Sequence, residues 1–193
     1  MGSDGMTKNK QVLRIRETIP GEKVREGIDA LVDGLLERFD FRGDDVAIVG
    51  IQTRGAAIAN RVAEKIRART TSDVPVGAVD ITLYRDDLST SGMQPVVGET
   101  HLNFDLDDKR IILIDDVLFT GRTVRAAIDE IMDFGRPRSI TLAVLIDRGH
   151  RELPIAADVA PIRIQTKRAE SVILRLQETD KKEEIVICET MPL

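Results

Sequence analysis

Arg110-Ile-Ile-Leu-Ile-Asp-Asp-Val-Leu-Phe-Thr-Gly-Arg-Thr-Val124 is the stretch whose reading decides the fold. Its aliphatic run, Ile111 to Ile114, reads as a strand buried on both faces, the kind found inside a parallel sheet. Two carboxylates, Asp115 and Asp116, follow where such a strand is expected to end. A short turn, Thr120-Gly121-Arg122-Thr123, leads into a helical pattern whose apolar face is Val124, Ile128, Ile131 and Met132. Strand, acid pair, hydroxyl-bearing glycine loop and helix N-terminus, in that order, describe a phosphate-ester site. Loop N–H groups, hydroxyls and the positive end of a helix can hold a dianionic phosphate. Gly121 lets the backbone come close to it. The carboxylates can hold neighbouring hydroxyl groups or reach a divalent cation.

Outward from this unit the same grammar repeats. Upstream, Val24, Ile28, Leu31, Leu35 and Phe39 give an amphipathic helix over 22–39, roughly five turns long. Its other face, with Glu26, Asp29, Asp33 and Glu37, is mostly acidic and neutral. Val46 to Ile51 is a second buried strand, followed by Thr53-Arg54-Gly55 and a helix with Ile58, Val62 and Ile66 inward. Val74 to Leu83 is a third strand, leading into Tyr84-Arg85-Asp86-Asp87-Leu88. From Ser89 to Thr100 the composition turns to Ser, Thr, Gly, Gln and Pro, a flexible loop long enough to be a lid, with His101 to Phe104 as its returning strand. Downstream, Gly135-Arg136-Pro137 stops the helix. Ser139 to Ile146 is another buried strand, ending in Asp147-Arg148-Gly149-His150-Arg151. Alternation at 172–177 and again at Ile185 to Ile187, around Thr-Asp-Lys-Lys, predicts a closing antiparallel hairpin. Strands alternating with helices imply a parallel sheet with ligands outside the strands' carboxyl ends.

The totals narrow the function classes. At 193 residues, 42% apolar and 32% charged, the chain suits one soluble domain over 22–193 after a flexible segment, 1–21. No apolar run approaches the ~18 residues of a membrane span and no secretory h-region is present, so a cytoplasmic protein without membrane partners is expected. A single cysteine, Cys188, excludes an intramolecular disulfide, and two histidines argue against a zinc enzyme. A net charge of −5 is no general nucleic-acid footprint, although a local basic patch is compatible with it.

The 110–124 pattern, four apolar residues, Asp-Asp, two apolar residues, one variable residue and Thr-Gly-x-Thr, resembles the phosphoribosyl-pyrophosphate (PRPP) signature of type I phosphoribosyltransferases. It is not a P-loop of the Gly-Lys-Ser/Thr kind. The resemblance implies that PRPP is held by Asp115, Asp116, Val117, Leu118, Phe119, Thr120, Gly121, Arg122 and Thr123. Polar clusters at 53–55, 84–88 and 147–151 supply the rest of the distribution such a donor needs. Thr53, Arg54 and Gly55 are the candidates for the leaving pyrophosphate, and Arg85 at the lid base adds charge when the loop closes. Asp115, Asp116 and Arg85 are thus the catalytic candidates. The two aspartates stabilise an oxocarbenium-like ribosyl cation rather than act as acid or base. Mg²⁺ is expected, carried mainly by the pyrophosphate and the ribose hydroxyls. His150 reads as a structural or base-pocket residue rather than a general base.

More of the chain carries a closer likeness. Gly50-Ile-Gln-Thr-Arg-Gly55, Asp80-Ile-Thr-Leu-Tyr-Arg-Asp-Asp-Leu88, 110–124, Gly135-Arg-Pro137 and Leu142-Ala-Val-Leu-Ile-Asp-Arg-Gly-His-Arg-Glu-Leu-Pro-Ile155 closely resemble the PyrR family of pyrimidine-operon attenuation proteins. The match runs from about residue 22 to 188. It implies a type I phosphoribosyltransferase fold, a central parallel sheet flanked by helices with a flexible lid and a small hood or C-terminal β-hairpin. It further implies a homo-oligomer, dimer or tetramer, and uracil phosphoribosyltransferase activity giving UMP and pyrophosphate. Arg148 and the backbone near Ala160 would bind the base. Pyrimidine leader mRNA would be the second partner, making the rival reading a UMP-responsive RNA-binding regulator. Two departures bear on these expectations. The first helix reads Gly-Ile-Asp-Ala-Leu-Val-Asp-Gly-Leu-Leu-Glu-Arg where the family carries Arg and His toward RNA, so RNA binding is expected to be weak or lost. Beyond Ile155 the chain runs Ala-Ala-Asp-Val-Ala-Pro-Ile-Arg-Ile-Gln-Thr, unlike the family, beside the expected base pocket. A purine-type enzyme is the weaker alternative, because 147–150 matches the pyrimidine relative.

Overall fold

The structure, a computed structural model, describes residues 12–81 and 100–191. Five strands form a parallel sheet in the order β3-β2-β4-β5-β6: β2 Val46–Ile51, β3 Val76–Val79, β4 Arg110–Leu118, β5 Ser139–Asp147 and the two-residue β6 Ile162–Arg163. Helices α1 (Gly21–Leu36) and α2 (Arg54–Thr70) cover one face and α3 (Arg122–Phe134) the other. The aliphatic run at the centre follows from this sandwiching. Ile112 and Ile114 pack with Ile28, Ile58 and Val62 on the α1–α2 side, while Ile111 and Leu113 pack with Val124, Ala127 and Ile131 on the α3 side. Alternate side chains point to opposite faces, so a strand covered on both needs apolar residues at every position.

A second sheet of three antiparallel strands, β1-β8-β7, forms a hood: β1 Val12–Pro20, β7 Glu170–Arg175 and β8 Glu184–Met191. The predicted closing hairpin is β7 and β8, joined through a short helix, α4, at Gln177–Asp180. The flexible segment assigned to 1–21 is corrected for residues 12–20, which pair along β8 as an edge strand. Its register is set by a partner more than 160 positions away, and Leu13 and Ile15 stay exposed, so no local burial signal marks it.

Other boundaries moved for similar reasons. The first helix stops at Leu36 rather than continuing to Phe39, whose ring packs 5.9 Å from that of Phe41. The third strand is shorter than its apolar pattern, and the return expected at 101–104 is a single antiparallel bridge from His101 to Ala78. Residues 82–83, Arg85 and the expected lid up to residue 99 lie outside the described residues. The largest correction concerns the centre: β4 does not end at Ile114. It runs through both carboxylates to Leu118, because β5 is long enough to pair with Asp115, Val117 and Leu118. Among the described residues no helix is long and apolar enough to cross a membrane.

Candidate active site

From β4 the chain moves to β5 and β6 on one side, whereas β2 leads to β3 on the other. The carboxyl ends of β2 and β4 therefore flank a topological switch point, where parallel sheets of this kind open a crevice. A cleft of about 540 Å³ lies there. The β2 end contributes Gln52, Thr53 and Arg54; the β4 end contributes Asp115, Asp116, Val117, Phe119 and Thr123; β5 contributes Arg148; and hood residues 168–174 close it.

Asp115 is 5% exposed, and its Oδ1 accepts the Asp116 N–H at 2.9 Å. Asp116 in turn accepts the Val117 N–H at 2.8 Å, so each carboxylate is oriented by the backbone that follows it. Gly121 has φ 95°, a left-handed conformation that turns the loop sharply into α3. Gly121 at the N-cap of α3 has no side chain to cap the helix, and the Arg122 N–H donates instead to Thr120 Oγ1 at 3.3 Å. That terminus, with the Thr123 hydroxyl, is chemically suited to an anion. The loop is braced from outside the cleft. Thr120 O accepts from the Glu152 and Leu153 N–H groups, while Arg151 donates to the carbonyls of Phe119 at 2.8 Å, Gly149 at 3.0 Å and Ile155 at 3.1 Å. Arg151 also meets Asp147 at 2.6 Å. Burial would raise the Asp147 carboxyl, but Arg151 and the Gly149 N–H outweigh it and hold the group below its ordinary value.

On the facing wall, α2 starts hard against β4. A Cβ on Gly55 would stand 2.6 Å from Ile114 O and 3.2 Å from Asp115 Cα, a closeness that only glycine permits. The peptide between Gln52 and Thr53 is cis. Arg54 sits at this start with its guanidinium paired to Asp180 at 2.7 Å and 3.1 Å, and that carboxylate, then Asp116, raises its pKa further.

Beside the end of β5 Arg148 is 6% exposed and lies 4.0 Å over the Phe119 ring. It donates to Thr166 Oγ1 at 3.2 Å and to Lys167 O at 3.1 Å, and burial lowers its pKa. Glu170, 2% exposed, is held by Arg16 of β1 at 2.5 Å and by the Lys167 N–H at 2.7 Å. Asp115, Arg148 and Glu170 are the buried charged residues of the described chain, and all line this cleft.

The sequence-derived candidates thus divide. Thr53, Arg54, Asp115, Asp116, Val117, Phe119, Thr123 and Arg148 are brought together around the cleft. Leu118 is a core residue packed with the α3 side, and Arg122 turns its side chain to Glu152 at 2.9 Å. Gly55, Thr120 and Gly121 act through backbone shape. Ala160 is not on the cleft wall: it packs against the α3-side core, because neighbouring Val159 takes the opposite face. Arg85 lies outside the described residues. His150 Nε2 donates to Thr166 O at 2.6 Å and packs edge-on to Phe119, a brace for the pocket wall. Sequence reasoning missed Glu170 and Asp180. Asp180 lies in the turn of the predicted hairpin and Glu170 just before its first strand, and their inward placement shows only once the hood is folded over the sheet.

The phosphoribosyl transferase domain family matches residues 21–177. Fold and cleft together define a type I phosphoribosyltransferase. A hypoxanthine-guanine phosphoribosyltransferase of Bacillus anthracis superposes with a TM-score of 0.65 at 16% identity, over 90% of this chain and 98% of that one. A purine phosphoribosyltransferase of Pyrococcus horikoshii superposes at 0.55 with 26% identity, over 74% and 83%. In sequence, a protein of Pelotomaculum thermopropionicum named Bifunctional protein PyrR is 50% identical over 167 residues, 86% of this chain and 92% of its own. A Deinococcus radiodurans protein of the same name is 48% identical over 84% and 88%. The chain belongs to the PyrR family of phosphoribosyltransferases.

Proposed function

We propose that the cleft transfers the 5-phosphoribosyl group from PRPP to uracil, giving UMP and pyrophosphate. The observation that carries this is the facing arrangement of Asp115, Asp116 and Thr123 on one wall and Arg54 on the other, at a switch point of the sheet. The N-terminus of α3 and the Thr123 hydroxyl receive the 5-phosphate. Asp115 and Asp116 orient the ribose hydroxyls, and their charge favours the cationic ring as the bond from C1 to pyrophosphate breaks. Uracil N1 forms the new bond to C1 and loses its proton. Arg54 receives the departing pyrophosphate, and Arg148 offers donors toward the uracil carbonyl oxygens. The oxygen donors Asp115 and Asp116 fit a hard cation, and Mg²⁺ bound with the donor would neutralise the leaving group.

Product formation from PRPP and Mg²⁺ with uracil, hypoxanthine, guanine and orotate in turn is the test. UMP from uracil alone is expected, with turnover falling about 100- to 1,000-fold in Asp116→Asn, the range for loss of one electrostatic stabiliser. Product from a purine and none from uracil would overturn the reading. A second reading, a UMP-responsive RNA-binding regulator, is favoured by the word "Bifunctional" in the relatives' name. It is disfavoured by the acidic outer face of α1, where Asp29 pairs with Lys65 at 2.8 Å and Asp33 with Arg69.

A further inference from the structure

Arg54 lines the cleft, but the carboxylate that holds it does not. Asp180 reaches Arg54 from α4 of the hood, outside the cleft wall. The pair is two-pronged, Nε to Oδ2 at 3.1 Å and Nη2 to Oδ1 at 2.7 Å. The carboxylate is itself fixed, because Oδ2 also accepts the Leu176 N–H at 3.0 Å and the Thr179 hydroxyl at 2.6 Å. A guanidinium is a planar fork with donors on more than one edge. Asp180 engages the Nε and Nη2 edge, and the Nη1 end makes no hydrogen bond to the described residues. An arginine on a loop-to-helix junction would otherwise sample many rotamers and lose that freedom on binding an anion.

We infer that Asp180 is a positioning residue for the pyrophosphate half of the donor site: it fixes Arg54 by one edge so that the other edge meets the leaving group. The inference rests on the reading of the cleft proposed above. It differs in sign from simple charge balance. Removing a negative charge near a pyrophosphate site should strengthen anion binding, whereas removing a positioning contact should weaken it.

Calorimetric titration of PRPP with Mg²⁺, and separately of UMP, is the deciding measurement. UMP shares the phosphate and base ends of the cleft but has no pyrophosphate. In Asp180→Asn, PRPP affinity is expected to fall on the order of 10- to 100-fold, the range for misplacing an orienting contact, with UMP affinity unchanged. Steady-state kinetics should show KM for PRPP rising while KM for uracil holds, and Asp180→Glu should recover part of the loss. Glu178→Gln serves as the control for mere docking of α4, since Glu178 ties the same helix to Arg61 at 2.7 Å without touching Arg54. Equal or tighter PRPP binding in Asp180→Asn overturns the inference, as does an equal loss for UMP or for Glu178→Gln. Wild-type protein that binds no PRPP would overturn the reading of the cleft and the inference with it.

Discussion

Gly55 carries a constraint that no side chain in the cleft shares: it is where α2 is allowed to touch the strand that bears the acid pair. Its missing Cβ would meet backbone, Ile114 O at 2.6 Å, and backbone cannot swing aside as a flexible side chain can. Gly55→Ala should therefore push the start of α2 from β4, costing about 1–3 kcal/mol as overpacking does. It should also raise KM for PRPP, because Arg54 moves with the helix. Urea denaturation and steady-state kinetics check the two halves separately. At the same scale, Arg148 shows how a buried cation is tolerated: an aromatic face below, a hydroxyl and a carbonyl at its rim, and Glu170 nearby. Arg148 was recognisable in the sequence from its neighbours Asp147, Gly149 and His150. Glu170 was not, because nothing in Lys-Arg-Ala-Glu-Ser marks it as buried until β1 brings Arg16 across to it.

Among the elements, α4 and the β7–β8 turn are held on α2 by charge. Asp180 meets Arg54, Glu178 and Glu183 both meet Arg61, and Glu183 also meets Arg25 of α1 at 2.8 Å. Arg54 holds the Asp180 carboxyl well below the usual range, Arg61 lowers Glu178, and for Glu183 the burial that would raise it is outweighed by Arg61 and Arg25. Groups whose folded values are depressed stabilise the fold fully above their unfolded values, about pH 4–4.5, and lose that stabilisation as pH falls through the folded ones. The protein should lose stability on acidification below about pH 4.5. A double variant, Glu178→Gln with Asp180→Asn, should lose less over the same window, read as urea midpoints at neutral and acidic pH. The two sheets differ in how far they could be foreseen. β2, β4 and β5 announce themselves as unbroken aliphatic runs because helices cover both their faces. β1 and β6, an edge strand and a two-residue strand, carry no such run.

For the molecule as a whole, charge placement bears on the second partner. The net charge is −5, and the basic residues that could have made a substitute patch are partly committed elsewhere. Arg151 is spent on loop carbonyls, Arg168 pairs with Glu152, and Lys167 approaches Glu189 at 3.5 Å. Each phosphate contact that is lost weakens RNA binding and flattens its salt dependence. A filter-binding titration with pyrimidine leader RNA is expected to show weak capture that UMP does not stimulate. Tight, sequence-specific capture enhanced by UMP would instead establish the regulator.

Residues that act on near neighbours in the chain declared themselves without coordinates. The strand, acid pair, Thr-Gly-Arg-Thr turn and helix of 110–124 form one local unit, since side-chain period, turn chemistry and helix start all operate over a few residues. That unit carried the resemblance to type I phosphoribosyltransferases, while the parallel sheet and the PyrR family needed the other strands and segments beside it. Tertiary structure alone decided the rest: that β4 continues through its carboxylates, that Ala160 faces the core, that β1 completes the hood, and that Asp180 grips Arg54 across 126 positions of chain. Those outcomes depend on which distant segments meet: β5 along β4, the 156–160 segment on the α3-side core, and the hood on α1 and α2. Apolar burial drives that docking and is indifferent to sequence order, so it leaves no periodic trace around an isolated Asp180 or Glu170.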